Sequence, residues 1–398
     1  MTLIETGRFV RDNPTVATSE ACPKSQRVVV VASLTWSLVC FRIDLLKAMV
    51  AGGHEVIALA PDDDAESVAT LEGAGVRFAR IPMARTGTNP FADLRTLASL
   101  YIQMRRLAPD VVLAYTMKPI VYGGIAARLA GVPRRFALFT GFGFLFGEGS
   151  HGLRTSAIRR LTIMLHRRAL AGLDGAFAYN EADAEDIRKH DMMSVDTPLT
   201  MIDGSGVDIE RFSPSVPRAA PPTFLLVSRL LWEKGIGEFV AAARLLKRDY
   251  PDARFQILGP FDPNPSMITR SEMDAWIAEG SIEYLGETRD VRPFLASSTV
   301  FVLPSYYREG IPRSLLEALA VGRPVITTDL PGCRETVRHG ENGFRVPPRD
   351  VEALAGAMRA FLDDEVLAPM MGERSRLMAE ERFDVRLINR KLLSAMDL

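Results

Sequence analysis

Cysteine is scarce in this chain. The three in 398 residues, at 22, 40 and 333, share no spacing that a metal site or redox pair needs. That argues against a disulfide-stapled scaffold and fits a reducing compartment. Histidine is scarce too: His54, His151, His166, His190 and His339 show no ligand spacing. No apolar run approaches the roughly 18 residues of a membrane-spanning helix. Residues 1–25 are polar, include Asp12, Glu20 and Pro23, lack the apolar core of a signal peptide, and read as a loosely ordered tail. A formal net charge of −1 offers no global field for nucleic acid, so no nucleic-acid partner is expected. The expected location is the cytoplasm, with peripheral membrane contact left open.

Apolar residues make up 47% of the chain, enough for two substantial cores. Near-continuous apolar runs at 28–33, 55–60, 76–81, 111–115, 136–140 and 176–179 alternate with helical patterns at 41–51, 91–107, 120–130 and 181–189. A short strand follows near Met201. Four prolines at 214, 217, 221 and 222 mark a linker. The alternation then restarts, with strands at 224–227, 254–258, 282–285, 299–303 and 325–328 and helices at 236–249, 314–320 and 351–362, before two more C-terminal helices. Such alternation predicts α/β domains whose parallel sheets are covered on both faces. The expected division is a tail 1–25, a domain 26–212, a linker 213–222, a domain 223–381, and a C-terminal helix 382–398 packing back on the first domain. Ligands of such sheets bind beyond the carboxyl ends of the strands, so the residues after each strand carry the function.

The richest such stretch is 306–317. Glu309 and Glu317 bracket a Gly310-Ile311-Pro312 turn and a helix start near Ser314 and Leu315. A helix N-terminus offers backbone N–H groups to phosphate, and carboxylates bind sugar hydroxyls, so the pattern suits a sugar nucleotide. Ser314 to Glu317 is also a capping-box pattern, which would spend Glu317 on the helix end. After the 224–227 strand, Arg229 and Lys234 are spaced to hold a diphosphate, Arg as a fork and Lys as a point charge. The alternative is a solvated basic pair. Asp62-Asp63-Asp64 reads as a solvated loop rather than a metal signature.

Arg229…Lys234-Gly235, the Glu309…Glu317 pair, Gly206-Val207-Asp208 and Gly322-Arg-Pro-Val325 resemble the retaining family-four glycosyltransferases of the GT-B fold, in which two Rossmann-like domains face a central cleft. The two glutamates match that family's E-x7-E motif. The resemblance runs from about Arg27 over nearly the whole chain. The stretches 118–128, 140–144 and 331–335 resemble the bacterial branch that extends polyprenyl-diphosphate-linked oligosaccharides, including enzymes that add N-acetylgalactosamine. The resemblance implies a UDP-sugar donor and a polyprenyl-diphosphate-linked sugar acceptor, with no metal and no cofactor. It gives Arg229 and Lys234 the donor diphosphate, Glu309 the donor sugar, Glu317 the ribose, backbone at Gly310, Ile311, Pro312, Ser314 and Leu315 the phosphates, and Leu285 the border of the base.

Two departures accompany it. The first strand is followed by Ser33-Leu-Thr-Trp-Ser37 instead of a Gly-Gly loop, and the loop Thr116-Met117-Lys118 has no histidine, which leaves Lys118 as the N-domain candidate or a surface contact. Arg154, Arg159, Arg160, Arg167 and Arg168 lie in one helical segment with no acid between Glu148 and Asp174. With Leu153, Ile158, Leu161, Leu165 and Leu170 they suggest contact with an anionic membrane or a lipid diphosphate, on the inner face of the cell membrane. Simple packing on the domain is the alternative. An epimerase or phosphorylase on the same architecture, or an inactive scaffold, remains as the rival function.

Overall fold

The computed structural model describes residues 25–84, 89–142, 153–216 and 221–398, without the side chains of 153–157. The expected tail, Cys22, His151, the side chain of Arg154 and the middle of the expected linker lie outside the described residues.

Thirteen described strands form two parallel sheets. The first contains β1 (Arg27–Val31), β2 (Glu55–Ala60), β3 (Arg77–Arg80), β4 (Val111–Tyr115), β5 (Arg134–Phe139), β6 (Gly175–Ala178) and β7 (Leu199–Met201), in the order β3-β2-β1-β4-β5-β6-β7. The second contains β8 (Thr223–Val227), β9 (Arg254–Leu258), β10 (Glu283–Tyr284), β11 (Val300–Leu303), β12 (Val325–Thr328) and β13 (Gly343–Val346), in the order β10-β9-β8-β11-β12-β13. Val28 to Val31 are completely buried because helices cover both sheet faces, and Val29 lies in register with Ile57 on one side and Val112 on the other. Strand order reverses between β1 and β4 and again between β8 and β11. At such reversals the loops diverge and open a crevice.

The first helix runs Thr35–Ala51, six residues longer at its start than the apolar pattern predicts. Its N-cap, Leu34, has no capping side chain; the Asp62 carboxylate accepts the Thr35 N–H at 2.9 Å from the end of β2. Asp63 pairs with Arg80 at 3.0 Å, and Asp64 caps the helix Ala65–Gly73 by accepting the Ser67 N–H at 3.0 Å. The three aspartates thus each hold a different piece of local structure.

The last helix, Val385–Met396, packs on helix Thr35–Ala51, and Arg134 donates to the Met396 carbonyl at 2.8 Å. Its Ile388, Leu392 and Met396 join one apolar cluster with Leu38 and Leu45 of the first half and Leu315 and Leu316 of the second. The two halves therefore share a core at their seam.

Candidate active site

β8 delivers Arg229 and Lys234. Lys234 ends a single tight turn, Trp232–Lys234, and is followed by Gly235 at φ +76°. A Cβ on Gly235 would stand 2.1 Å from the Pro304 carbonyl oxygen, so only glycine lets this turn press against the end of β11. That approach brings the Lys234 ammonium into an ion pair with Glu309, both side chains nearly buried. Ser305 donates to the same Glu309 oxygen at 3.1 Å, and the Tyr307 ring lies 5.7 Å from the Lys234 Nζ. Arg229 stays 40% exposed and donates to Asp262, beyond β9, at 2.7 Å. Asp262 carries no sequence signal beyond its place after a strand.

Helix Arg313–Ala320 begins at Pro312, without a side-chain cap. Ser314 is its second residue, and Glu317 accepts from Arg313 Nε at 3.1 Å; the capping-box alternative is not what forms. Arg313 also donates to the Gly206 carbonyl at 2.9 Å, joining the helix start to the Gly206-Val207-Asp208 crossing. Burial holds the Glu317 carboxyl above the usual range while Arg313 draws it down. Cys40, on helix Thr35–Ala51, lies in the field of both; burial pushes its thiol up to about 11. Ile311 and Leu315 put their side chains into the core, so only their backbone is left for a ligand. Leu285 donates its N–H to Ile257 at 2.9 Å and packs half-buried against the shared core.

The loop around Glu309 is clamped by the first domain. A Cβ on Gly310 would lie 2.3 Å from the Thr140 carbonyl oxygen, and one on Gly332 would lie 2.0 Å from that of Gly310. Three backbones thus meet where side chains would not fit, which accounts for the Gly in the 331–335 stretch. Asn180, just after β6, donates to the Glu309 and Gly310 carbonyls at 3.3 and 3.4 Å. Arg308 donates to the Ala182 carbonyl at 2.9 Å and pairs with Asp186 at 2.5 Å and Asp183 at 3.5 Å.

Among the described residues, no contact brings Lys118 to this cluster. It pairs with Asp93 at 2.9 Å inside the first domain. A further cation near the seam is Arg42, which has no motif in the sequence. It is buried between the Tyr115 and Tyr179 rings, 5.3 and 5.7 Å from their centroids, and donates to the Tyr179 hydroxyl. Its Nε and Nη1 have no partner among the described residues. A Cβ on Gly310 would meet the Tyr179 ring at 2.8 Å, so this charge sits one ring away from the clamped loop. Only its position on the first helix after β1 could have flagged it.

Helix Leu153–Leu170 carries the expected arginines. Arg160, Arg167 and Arg168 are exposed and Arg159 is half-buried. Arg167 pairs with Asp191 at 3.6 Å, an acid distant in sequence. His166 does not belong to the basic face: it is buried against Phe139 and Phe142, bonded to the Thr162 carbonyl at 2.8 Å, and burial lowers its pKa to about 4.

Two domain families match the chain. The glycosyl transferase 4-like domain matches residues 43–199, and the glycosyl transferases group 1 domain matches residues 221–364. A Campylobacter jejuni protein named N,N'-diacetylbacillosaminyl-diphospho-undecaprenol alpha-1,3-N-acetylgalactosaminyltransferase is 26% identical over 374 residues, covering 91% of this chain and 96% of that one. An Escherichia coli UDP-Gal:alpha-D-GlcNAc-diphosphoundecaprenol alpha-1,3-galactosyltransferase is 27% identical over 305 residues, covering 73% and 76%. Among solved structures, sucrose-phosphate synthase from Thermosynechococcus elongatus superposes with a TM-score of 0.75 at 18% identity, over 92% of this chain and 97% of that one. Anabaena HepE, in complex with UDP and glucose, superposes with a TM-score of 0.72 at 18% identity, over 94% and 99%. With both domain types present in order, and with the two sheets closing on one seam, the chain belongs to the glycosyltransferases of the GT-B fold.

Proposed function

We propose that this glycosyltransferase moves a hexose or N-acetylhexosamine from a UDP-sugar to a polyprenyl-diphosphate-linked saccharide, with retention at the anomeric carbon. The observation that carries it is the Lys234–Glu309 pair, set beside the start of helix Arg313–Ala320 and clamped by the first domain. The names of the Campylobacter jejuni and Escherichia coli relatives both specify undecaprenyl-diphosphate-linked sugars, and the second specifies UDP-Gal.

In this reading the donor diphosphate draws Lys234 from Glu309 and Arg229 from Asp262. Each cation then stabilises the charge that grows on the leaving group. Glu309, released from its partner, accepts hydrogen bonds from hydroxyls of the donor sugar, and Glu317 accepts them from the ribose hydroxyls. Front-face attack, with the departing diphosphate taking the acceptor proton, needs no side-chain nucleophile; the protein supplies position and field. The acceptor's lipid brings the enzyme to the inner face of the membrane, where the exposed arginines of helix Leu153–Leu170 meet anionic headgroups.

The test is a screen of UDP- and GDP-sugars against polyprenyl-diphosphate-linked acceptors, with the linkage read by NMR. An α-linked product from an α-configured UDP-sugar is expected. Donor turnover without an acceptor would favour the epimerase instead, and inversion at the anomeric carbon would overturn the mechanism.

A further inference from the structure

Strand order β3-β2-β1-β4-β5-β6 with right-handed crossovers puts the helices Pro90–Leu107, Gly124–Ala130 and Leu153–Leu170 on one face of the first sheet, and they pack side by side in that order. Their charge is one-sided. The three segments contain nine arginines, at 95, 105, 106, 128, 154, 159, 160, 167 and 168, and one acid, Asp93, which Lys118 neutralises. The whole chain, by contrast, has a net charge of −1.

The layer's outer surface is also apolar. Phe91 is 85% exposed, Leu94 64%, Ile102 50% and Leu129 63%, and Leu161 and Met164 are exposed beside them. At about 100° per residue, Phe91, Leu94, Ala98, Tyr101 and Ile102 share the solvent side of their helix with Arg95, Arg105 and Arg106. A helix normally turns such a stripe inward; this one turns inward with Thr96, Leu100 and Met104 and keeps a second apolar stripe outside. Along its edge opens a cavity of about 870 Å³, lined by Arg80, Arg95 and Arg106 with Ile81, Met83 and Ile102. Guanidinium groups over an apolar floor match a lipid phosphate with its chains below. None of the described helices is long and apolar enough to cross a membrane, so contact at this face is interfacial.

We propose that this three-helix face docks on an anionic bilayer, with Phe91, Leu94 and Ile102 in the headgroup–acyl boundary and Arg95 and Arg106 at a lipid phosphate. It rests on the lipid-linked acceptor reading and moves the main apolar anchor from helix Leu153–Leu170 to helix Pro90–Leu107. Because the three apolar side chains are exposed, replacing them leaves the core untouched.

The full-length protein is sedimented with vesicles of phosphatidylcholine alone or with 30% phosphatidylglycerol as the probe composition. Wild type is expected on the anionic vesicles only, and the triple variant Phe91→Ser, Leu94→Ser, Ile102→Ser is expected to partition roughly tenfold less or weaker. Its transfer to a short-chain, soluble acceptor analogue is expected to match wild type. Unchanged partition of the triple variant overturns the proposal, and loss only in Arg159→Gln, Arg160→Gln, Arg167→Gln, Arg168→Gln returns the contact to that helix alone. A wild-type dimer in light scattering that the triple variant abolishes, with partition unchanged, overturns it in favour of a second copy. Absence of vesicle binding by wild type, with soluble transfer intact, removes the membrane face and leaves the transferase; absence of transfer with vesicle binding intact removes the transferase and leaves the face.

Discussion

Arg229 and Lys234 have matching charges but different surroundings, and their variants should differ accordingly. Arg229 is 40% exposed, so its pair with Asp262 is partly screened, and Asp262, itself 12% exposed, keeps the Asn264 N–H as a donor; Arg229→Ala should therefore cost less stability than loss of the buried Lys234. Turnover at saturating donor should fall by about 10²–10³, the usual loss when one preorganised contact to developing charge is removed. Lys234→Met leaves Glu309 nearly buried with the Ser305 hydroxyl as its side-chain partner among the described residues, so it should lose a similar amount of turnover and also roughly 3–5 kcal/mol of stability. Steady-state rates with urea unfolding separate the two, and near-wild-type turnover in both would remove the diphosphate from these residues. Glu317→Gln should weaken UDP binding by roughly ten- to a hundredfold in calorimetry, one lost charge-assisted hydrogen bond being worth roughly 1.5–3 kcal/mol. Equal affinity would remove the ribose role. The helix end itself should be unaffected, because Pro312, not the Ser314–Glu317 box, begins it.

At the scale of elements, the seam depends on backbones meeting without side chains. Gly310→Ala inserts a methyl 2.3 Å from the Thr140 carbonyl and against the Tyr179 ring. Neither can retreat without moving β5 or β6, so overpacking of about 1–3 kcal/mol is expected. The strain is relieved by parting the two domains. Small-angle scattering should show a larger radius of gyration, and transfer should fall while UDP binding to the second domain persists. An unchanged radius with full activity would show that the seam tolerates the methyl. Much at this scale is legible in the chain: the apolar runs mark most strands, and their position after β8 and β11 singles out Arg229, Lys234 and Glu309. The starts of helices are less legible. Helix Thr35–Ala51 begins six residues before Phe41, in a stretch without a capping residue of its own, because a carboxylate from the loop after β2 accepts the Thr35 N–H. Thr269 and Glu272 form a full capping box for helix Arg270–Ala278, a local signal that the apolar pattern alone does not reveal.

At the scale of the whole molecule, Arg308 ties the second domain to the first through Asp183 and Asp186. Burial raises the Asp183 carboxyl from 3.8 to about 6, against the pull of Arg308 and Asn180. A carboxyl raised on folding gives its full contribution below its unfolded pKa and loses it as pH rises through the folded value. Asp183 should therefore favour the folded state most at about pH 4 and lose on the order of 3 kcal/mol of that by pH 7. Melting temperatures of wild type and Asp183→Asn, measured from pH 4.5 to 7, should show the variant gaining on wild type as pH rises; a constant difference would mean that Asp183 does not titrate in this window.

The chain's local pattern is enough to give two parallel α/β units, the run of most of their strands, and the loops that follow the strand ends. Those facts follow from period, burial demand and turn residues, all of which act over a few neighbours. Tertiary structure alone decided what each charge is spent on. Lys118 goes to Asp93, Lys234 to Glu309, and Arg42 to two tyrosines distant in the chain. It also decided that helix Pro90–Leu107 leaves an apolar stripe facing outward. The reason is that a side chain's partner and its solvent exposure depend on elements far away in the chain, and the parallel crossovers that bring them together leave no mark at the residue itself.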